Sequence, residues 1–306
     1  MIFNPIKLIC CFAPLSLALL IGCGKTAPEQ QTTPKVEPTE ATQTPGMEAA
    51  SKAHDEGRYA EAVRLYTTEL ATEEAKPAPS WVQLSHLNNQ LGLALDEAGQ
   101  YDHALEYYQK SLAIWLKQLG PDHPDVATSY NNIGGVYDSK AEYDKALEYH
   151  QKSLAIRLKQ LGPDHPDVAL SYNNIGLVHS KKGEYDKALE YYQKSLAIQL
   201  KQLGADHPHV GQTYNNIGAV HYKKAEYGKA LDYFQKSLAI QLKQLGADHP
   251  DVAISYNNMA FVCKTKKDLS KAKEYWEKAH AILLKRLGPN HPNTKLVKGE
   301  LDALKE

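Results

Sequence analysis

Sulfur and the bulkier aromatics are scarce in this chain of 306 residues, which has four cysteines, three methionines, three tryptophans and four phenylalanines. Three of the cysteines, Cys10, Cys11 and Cys23, stand near the N-terminus, so Cys263 is alone in the rest of the chain and no disulfide can form there. Apolar runs are short as well. Leu8 to Ile21 is interrupted by Pro14 and falls below the roughly 20 residues of a membrane-spanning helix. Neither sign of charge dominates: 35 basic against 36 acidic residues leave a net charge of -1, without the basic excess that nucleic-acid binding requires. Also missing are a glycine-rich phosphate loop, a nucleophile beside a plausible base, and paired carboxylates in an apolar stretch. No catalytic residue, no cofactor and no enzymatic activity are therefore expected. Tyrosine is the one abundant aromatic, and Tyr101, Tyr143, Tyr185 and Tyr227 recur at one packing position, as core rather than as platforms for bases.

What the chain does have is a period. Leu-Gly-x-Asp-His-Pro begins at Leu119, Leu161, Leu203 and Leu245, and Leu-Gly-Pro-Asn-His-Pro at Leu287, a spacing of 42 residues; residues 127–168 and 169–210 agree at 32 of 42 positions. A unit this short cannot enclose a core, so neighbouring units must stack. Within a unit, Tyr130, Ile133, Gly134 and Tyr137 fall at helical spacing on one face of a first helix, helix A. In helix B, Ala146, His150 and Ser153 make one stripe and Leu147, Leu154, Leu158 and Leu161 another, so helix B is expected to bury two sides. Gly134, Gly176 and Gly218 are expected to let the facing helix approach to about 8 Å rather than 10 Å.

Gly120, Gly162, Gly204 and Gly246 are read as left-handed caps ending helix B. Pro124, Pro166, Pro208 and Pro250 suit the first turn of the next helix A, where a missing N–H is not needed. Pairs such as Glu148 with Lys152 and Glu190 with Lys194 are ordinary i, i+4 pairs of a solvated face, worth a few tenths of a kcal/mol each.

The pattern Tyr-x-x-Ile-Gly-x-x-Tyr, followed by Tyr143 and Ala146, resembles the tetratricopeptide repeat. The 42-residue period and the paired asparagines Asn131-Asn132 resemble its kinesin-light-chain subclass. The resemblance implies an all-α fold, a right-handed α-solenoid of stacked helix-turn-helix units that bind protein rather than form a motor. The expected divisions are a signal peptide at 1–22, a tether at 23–45, a divergent partial repeat at 46–80, five repeats at 81–292 and a capping helix at 293–306. In the divergent unit only Ala50 and Ala53 mark helix A, so a short, poorly packed helix is expected. The eleventh position of helix A reads Tyr137, then His179, His221 and Cys263, which predicts packing that weakens toward the C-terminus.

Leu20-Ile21-Gly22-Cys23 resembles the bacterial lipobox, which implies cleavage before Cys23 and lipidation of that residue. Two or three acyl chains anchor stably where one is marginal. The expected location is the bacterial cell envelope, lipid-anchored and facing the periplasm, outer membrane favoured, or the exterior. A soluble secreted protein in which Cys23 is incidental is the alternative. Residues 24 to 45, rich in Thr, Pro, Gln and Glu, cannot form a core, and reach from roughly 25 Å as a coil to about 70 Å in polyproline form.

His123, His165, His207, His249 and His291 form a tempting metal set. Yet equivalent positions in successive layers lie on the order of 10 Å apart, too far to share one ion, and no metal site is expected. The informative face is the one helix A leaves over. Asn89, Asn131, Asn132, Asn173, Asn174, Asn215, Asn216, Asn257 and Asn258 recur along it, beside Leu93, Leu177, Tyr222, Phe261, Lys181 and Lys223. An amide offers two donor hydrogens and an acceptor, and a ladder of them can grip the backbone of an extended peptide. In the resembled family this face lines a concave groove. Asp96 and Glu97 at one end and Lys181, Lys182, Lys223, Lys224, Lys264, Lys266 and Lys267 at the other predict a partner with an acidic segment toward the C-terminal repeats and a basic one toward Asp96. The sequence also admits a ladder that is merely duplicated, and a structural or assembly role in a cell-envelope machine, such as pilus or outer-membrane assembly, or a self-associating spacer. The oligomeric state is not legible.

Overall fold

The computed structural model describes residues 41–304. The apolar leader, Cys23 and the tether up to residue 40 lie outside the described residues. Thirteen helices and no strand are found among the described residues: α1 (Pro45–Asp55), α2 (Tyr59–Glu74), α3 (Trp81–Glu97), α4 (Tyr101–Leu119), α5 (Pro124–Ser139), α6 (Tyr143–Leu161), α7 (Pro166–Lys181), α8 (Tyr185–Gln202), α9 (Pro208–Lys223), α10 (Tyr227–Leu245), α11 (Pro250–Thr265), α12 (Leu269–Leu287) and α13 (Pro292–Asp302). From α3 onward the odd-numbered helices are helix A and the even-numbered helix B. The chain divides within α6 into two compact units, residues 41–156 and 157–304, and in each the hairpins stack on their neighbours as an all-α solenoid.

From α5 onward each helix A starts on a histidine, whereas α3 is capped by Ser80, whose Oγ accepts from the Gln83 N–H at 3.3 Å. The Nδ1 atoms of His123, His165, His207, His249 and His291 accept the backbone N–H two residues on, at 3.3, 3.1, 3.2, 3.2 and 3.2 Å, with proline in the first turn. The histidines that looked like a metal set are N-caps, each satisfying a donor that the first turn leaves without a partner.

The left-handed cap is found at the other end of the hairpin. Helix A closes with Glu142, Glu184, Glu226 and Asp268 donating their N–H groups five residues back, as from Glu142 to the Tyr137 carbonyl at 2.8 Å, the Schellman arrangement. The residue before each of these takes positive φ: Gly183 at 79°, but Ala141 and Ala225 at 58° and Lys267 at 63°. The glycines ending helix B differ from expectation. Gly120 and Gly288 combine φ near 80° with ψ of 171°, a region essentially restricted to glycine, because the chain extends away toward the next histidine cap instead of folding under the helix. Left-handed backbone costs a non-glycine residue about 1–2 kcal/mol, and glycine's extra unfolded-state freedom takes back part of that. Replacing Ala141 and Ala225 by glycine is therefore expected to stabilise the fold by about 0.5–1 kcal/mol each, read as a higher urea midpoint at unchanged slope; a lower midpoint would contradict the strain.

Packing inside a hairpin is set by small-to-large contact. A Cβ on Gly134, Gly176 or Gly218 would sit 2.9 Å from the ring of His150, Tyr192 or Phe234, all buried. Trp276 occupies the same place in α12 and is fully buried. Of the expected first-helix face, Ile133 and Gly134 are buried while Tyr130 and Tyr137 are half-buried, both packed on Tyr149. The second stripe of helix B ends early: Leu161 is exposed, and Ile156, Ile198, Ile240 and Ile282 are the buried residues there.

At the eleventh position of helix A, whose change of residue type predicted weaker packing between repeats, the contacts made lie within the hairpin. His179 and His221 stack on Tyr191 and Tyr233 at 5.3 and 5.4 Å, and their Nδ1 atoms lie 2.9 and 2.8 Å from the carboxylates of Glu184 and Glu226. A flat ring with a polar edge thus replaces a flat ring. Lys187 and then His179 hold the Glu184 carboxyl down to about 2, and Lys229 and His221 do the same for Glu226. Cys263 is buried, and burial pushes its thiol up.

At the N-terminal end α1 is short, yet it buries Met47 as well as Ala50 and Ala53, so the first hairpin is better packed than its sequence suggested. Buried Glu73 bridges the Lys76–Ser80 break, accepting from the Ser80 N–H at 2.8 Å and from Lys76 Nζ at 2.5 Å. At the C-terminal end α13 covers the last hairpin with Leu296, Val297, Leu301 and Leu304.

Candidate functional site

The amides on the helix A face are hydrogen-bonded to one another. In residues 41–156, Asn132 Nδ2 donates to Asn89 Oδ1 at 2.9 Å. In residues 157–304, Asn216 Nδ2 donates to Asn173 Oδ1 at 3.2 Å and Asn258 Nδ2 to Asn215 Oδ1 at 3.1 Å. The second asparagine of one repeat thus bonds the first asparagine of the repeat before. Each rung uses one donor hydrogen and one acceptor, so an amide keeps part of its hydrogen-bonding capacity for something else.

Exposure separates the candidates. Asn89, Asn131, Asn132, Asn174 and Asn216 are half-buried, whereas Asn173 and Asn215 are 9% and 6% exposed. Asn257 and Asn258, at 1% and 0%, are sealed and do not present amides to solvent as the sequence pattern suggested. The physical reason is that the ladder has run out. In α13 the position one period beyond Asn258 is Glu300, which accepts from Lys264 at 2.6 Å, and Asn257 Oδ1 turns inward to the indole N–H of Trp276 at 3.0 Å. Asn131, Asn174 and Lys181 are engaged in contacts of their own.

The lysine gradient is partly neutralised by the chain itself. Lys224 bonds Asp186 at 2.5 Å, Lys264 bonds Glu300, and Lys182 lies 3.5 Å from Glu184. Lys223, Lys266 and Lys267 are exposed. At the opposite end Asp96 is half-buried in α3, and burial, reinforced by Glu97, pushes its carboxyl up to about 6. Among the described residues no group of three or more His, Cys, Asp or Glu side chains could hold a metal ion, and no helix is long and apolar enough to cross a membrane. The capping role of the histidines was left unassigned in the sequence, although the His-Pro pair itself marks the residue before a helix's first turn.

The tetratricopeptide repeat family model matches residues 48–115, 83–159, 140–201, 167–243 and 209–285, and the chain belongs to that family. Solved structures place it beside kinesin-light-chain-like members. A putative kinesin light chain of Podosopora anserina with nearly identical TPR-like repeats is 25% identical, with a TM-score of 0.57, over 66% of this chain and 96% of that one. BtubC (BKLC) from P. vanneervenii is 23% identical with a TM-score of 0.60, over 82% and 95%. The quorum sensor NprR from B. thuringiensis, in its apo form, is 19% identical with a TM-score of 0.64, over 83% and 68%, a likeness of fold. No curated protein matches the chain.

Proposed function

We propose that this protein is a membrane-anchored adaptor of the cell envelope whose repeats grip an extended segment of a partner protein along the helix A groove. That it is a protein-interaction scaffold follows from its family. The observation that supports groove binding is the half-buried amides within each unit, Asn89 and Asn132 in residues 41–156 and Asn216 in residues 157–304, held in fixed orientation by the rungs and retaining part of their hydrogen-bonding capacity. Amides oriented in advance lose little freedom when they bond a peptide backbone, which favours affinity without demanding a sequence. Asp96 and the exposed lysines, Lys223 above all, would set direction by charge. Lipidation at Cys23, with the tether that follows, would hold the repeats away from the bilayer.

Replacing Asn132, Asn174 and Asn216 together by alanine is expected to cut yields of crosslinked partner in cells about tenfold, a loss of about 1.4 kcal/mol. Each rung broken should lower stability by only about 1 kcal/mol, leaving the helical spectrum unchanged. Undiminished capture by the folded triple variant rules the groove out and leaves the envelope-assembly or spacer role.

A further inference from the structure

On the groove side, residues 157–304 contain the α7–α9 and α9–α11 seams between consecutive A helices, and the two differ in character. The α7–α9 seam carries the Asn173–Asn216 rung, then Leu177 beside Ala219 one turn on, then Ser180 beside Lys223 another turn on. Leu177, Ala219 and Ser180 are half-buried and Lys223 is exposed, so this seam is open. The α9–α11 seam has the same register: the Asn215–Asn258 rung, then Ala219 beside Phe261, then Tyr222 beside Thr265. Here Phe261 is 5% and Tyr222 8% exposed, while Thr265 is exposed like Lys223, and Tyr222 Oη lies 3.1 Å from Thr265 Oγ1. The Thr265 hydroxyl hydrogen is committed to the Phe261 carbonyl at 2.9 Å, so Tyr222 is the donor, a latch from α9 to α11.

Two polar atoms of the α11 asparagines have no hydrogen-bond partner. Asn257 Oδ1 takes the Trp276 N–H and Asn258 Nδ2 goes to Asn215, while Asn257 Nδ2 and Asn258 Oδ1 are buried and unbonded. They are one donor and one acceptor, the complement of a peptide unit's C=O and N–H. A buried amide left half-bonded raises the energy of the closed seam, so closure is held by the latch and by Phe261 packed edge-on against Trp276 at 5.3 Å.

We propose that the α9–α11 seam is a gated subsite for an extended peptide backbone: Tyr222 releases Thr265, Phe261 swings from Asn257 and Asn258, and one peptide unit of the ligand bonds the two unmet amide atoms. The proposal rests on the groove reading above and adds that the bound chain runs one repeat further than the exposed amides indicate. Affinity is lowered by the small fraction of molecules in which the seam is open.

The latch can be removed without disturbing the core by Tyr222→Phe or Thr265→Val. With Trp81→Phe and Trp115→Phe in the background, Trp276 is the sole indole, and acrylamide quenching of the full chain reports opening with no peptide present. Tyr222→Phe is expected to raise the quenching constant about threefold by favouring local opening; an unchanged constant overturns the gate. A peptide of about twelve residues, selected by phage display on the full chain, should bind roughly tenfold tighter to either latch variant. Binding that is lost in Asn216→Ala but unaltered by Tyr222→Phe overturns the gate and leaves the groove standing. Binding indifferent to Asn216→Ala overturns the groove, and the gate with it.

Discussion

Replacing Trp276 by alanine is expected to destabilise the C-terminal hairpin by about 4–8 kcal/mol, among the largest single-residue effects available in this chain. The indole is fully buried, Phe261 packs edge-on against it, and Lys264 Nζ lies 5.4 Å from its ring centroid. Truncating a buried tryptophan costs about 3–5 kcal/mol in lost transfer energy and residual cavity. It also strips Asn257 of its bond to the indole, and the penalty for a buried amide without partners adds about 1–3 kcal/mol. In a repeat array each unit contacts only its neighbours, so the loss should stay local. Hydrogen exchange is expected to show α11, α12 and α13 opening together while α1 to α4 keep their protection. Trp276→Phe should retain most of the packing and lose about 1–2 kcal/mol, the share of the indole N–H. Uniform loss of protection along the chain, or a change below about 1 kcal/mol for the alanine variant, would contradict this account.

Asp96→Asn is expected to stabilise the protein at neutral pH by about 1–3 kcal/mol, the lower end reflecting water that still reaches the carboxyl. Burial first, and Glu97 second, push the group from its ordinary 3.8 up to about 6. A raised carboxyl favours its neutral form in the fold. Its contribution is therefore most favourable below the unfolded value near 4, declines as pH rises, and is fully lost above about 6. Asparagine is neutral throughout, so the variant should gain over the parent at pH 7 and show no advantage below about pH 4. Urea midpoints at the two pH values decide it, and an equal gain at both would mean that volume or local structure, not ionisation, is responsible. A half-buried carboxylate that weakens the fold at neutral pH marks a candidate binding position. In the proposed groove its complement is a basic side chain of the partner.

Much of the fold was legible because it is built from local rules repeated at a fixed spacing. The 42-residue period, the proline at the start of helix A from α5 onward and the apolar spacing locate the hairpins. The cap assignments were half legible. Histidine before proline marks the helix start, but Schellman closure at Ala141, Ala225 and Lys267 was hidden because these are not glycines. The partners of the eleventh position were not legible either: what His179 does within its hairpin is plain only once Tyr191 and Glu184 are placed around it.

Of the candidate site, the recurrence of asparagines at equivalent helix A positions was legible, and their state was not. Which amides bond each other, and which are sealed, depends on atoms 43 residues apart in the chain, brought together only when one hairpin lies on the next. Asn258 and Asn216 stand in the same YNN triplet and differ because Phe261 replaces Ala219 one turn away and because α13 offers Glu300 where another asparagine would extend the ladder. The sequence by itself determined the hairpin, its length and its repetition, since backbone hydrogen bonds, caps and apolar spacing act within a few turns. Only the tertiary structure decided which amides pair and which are sealed, since burial and amide pairing are properties of the seam between helices that the chain visits one full period apart.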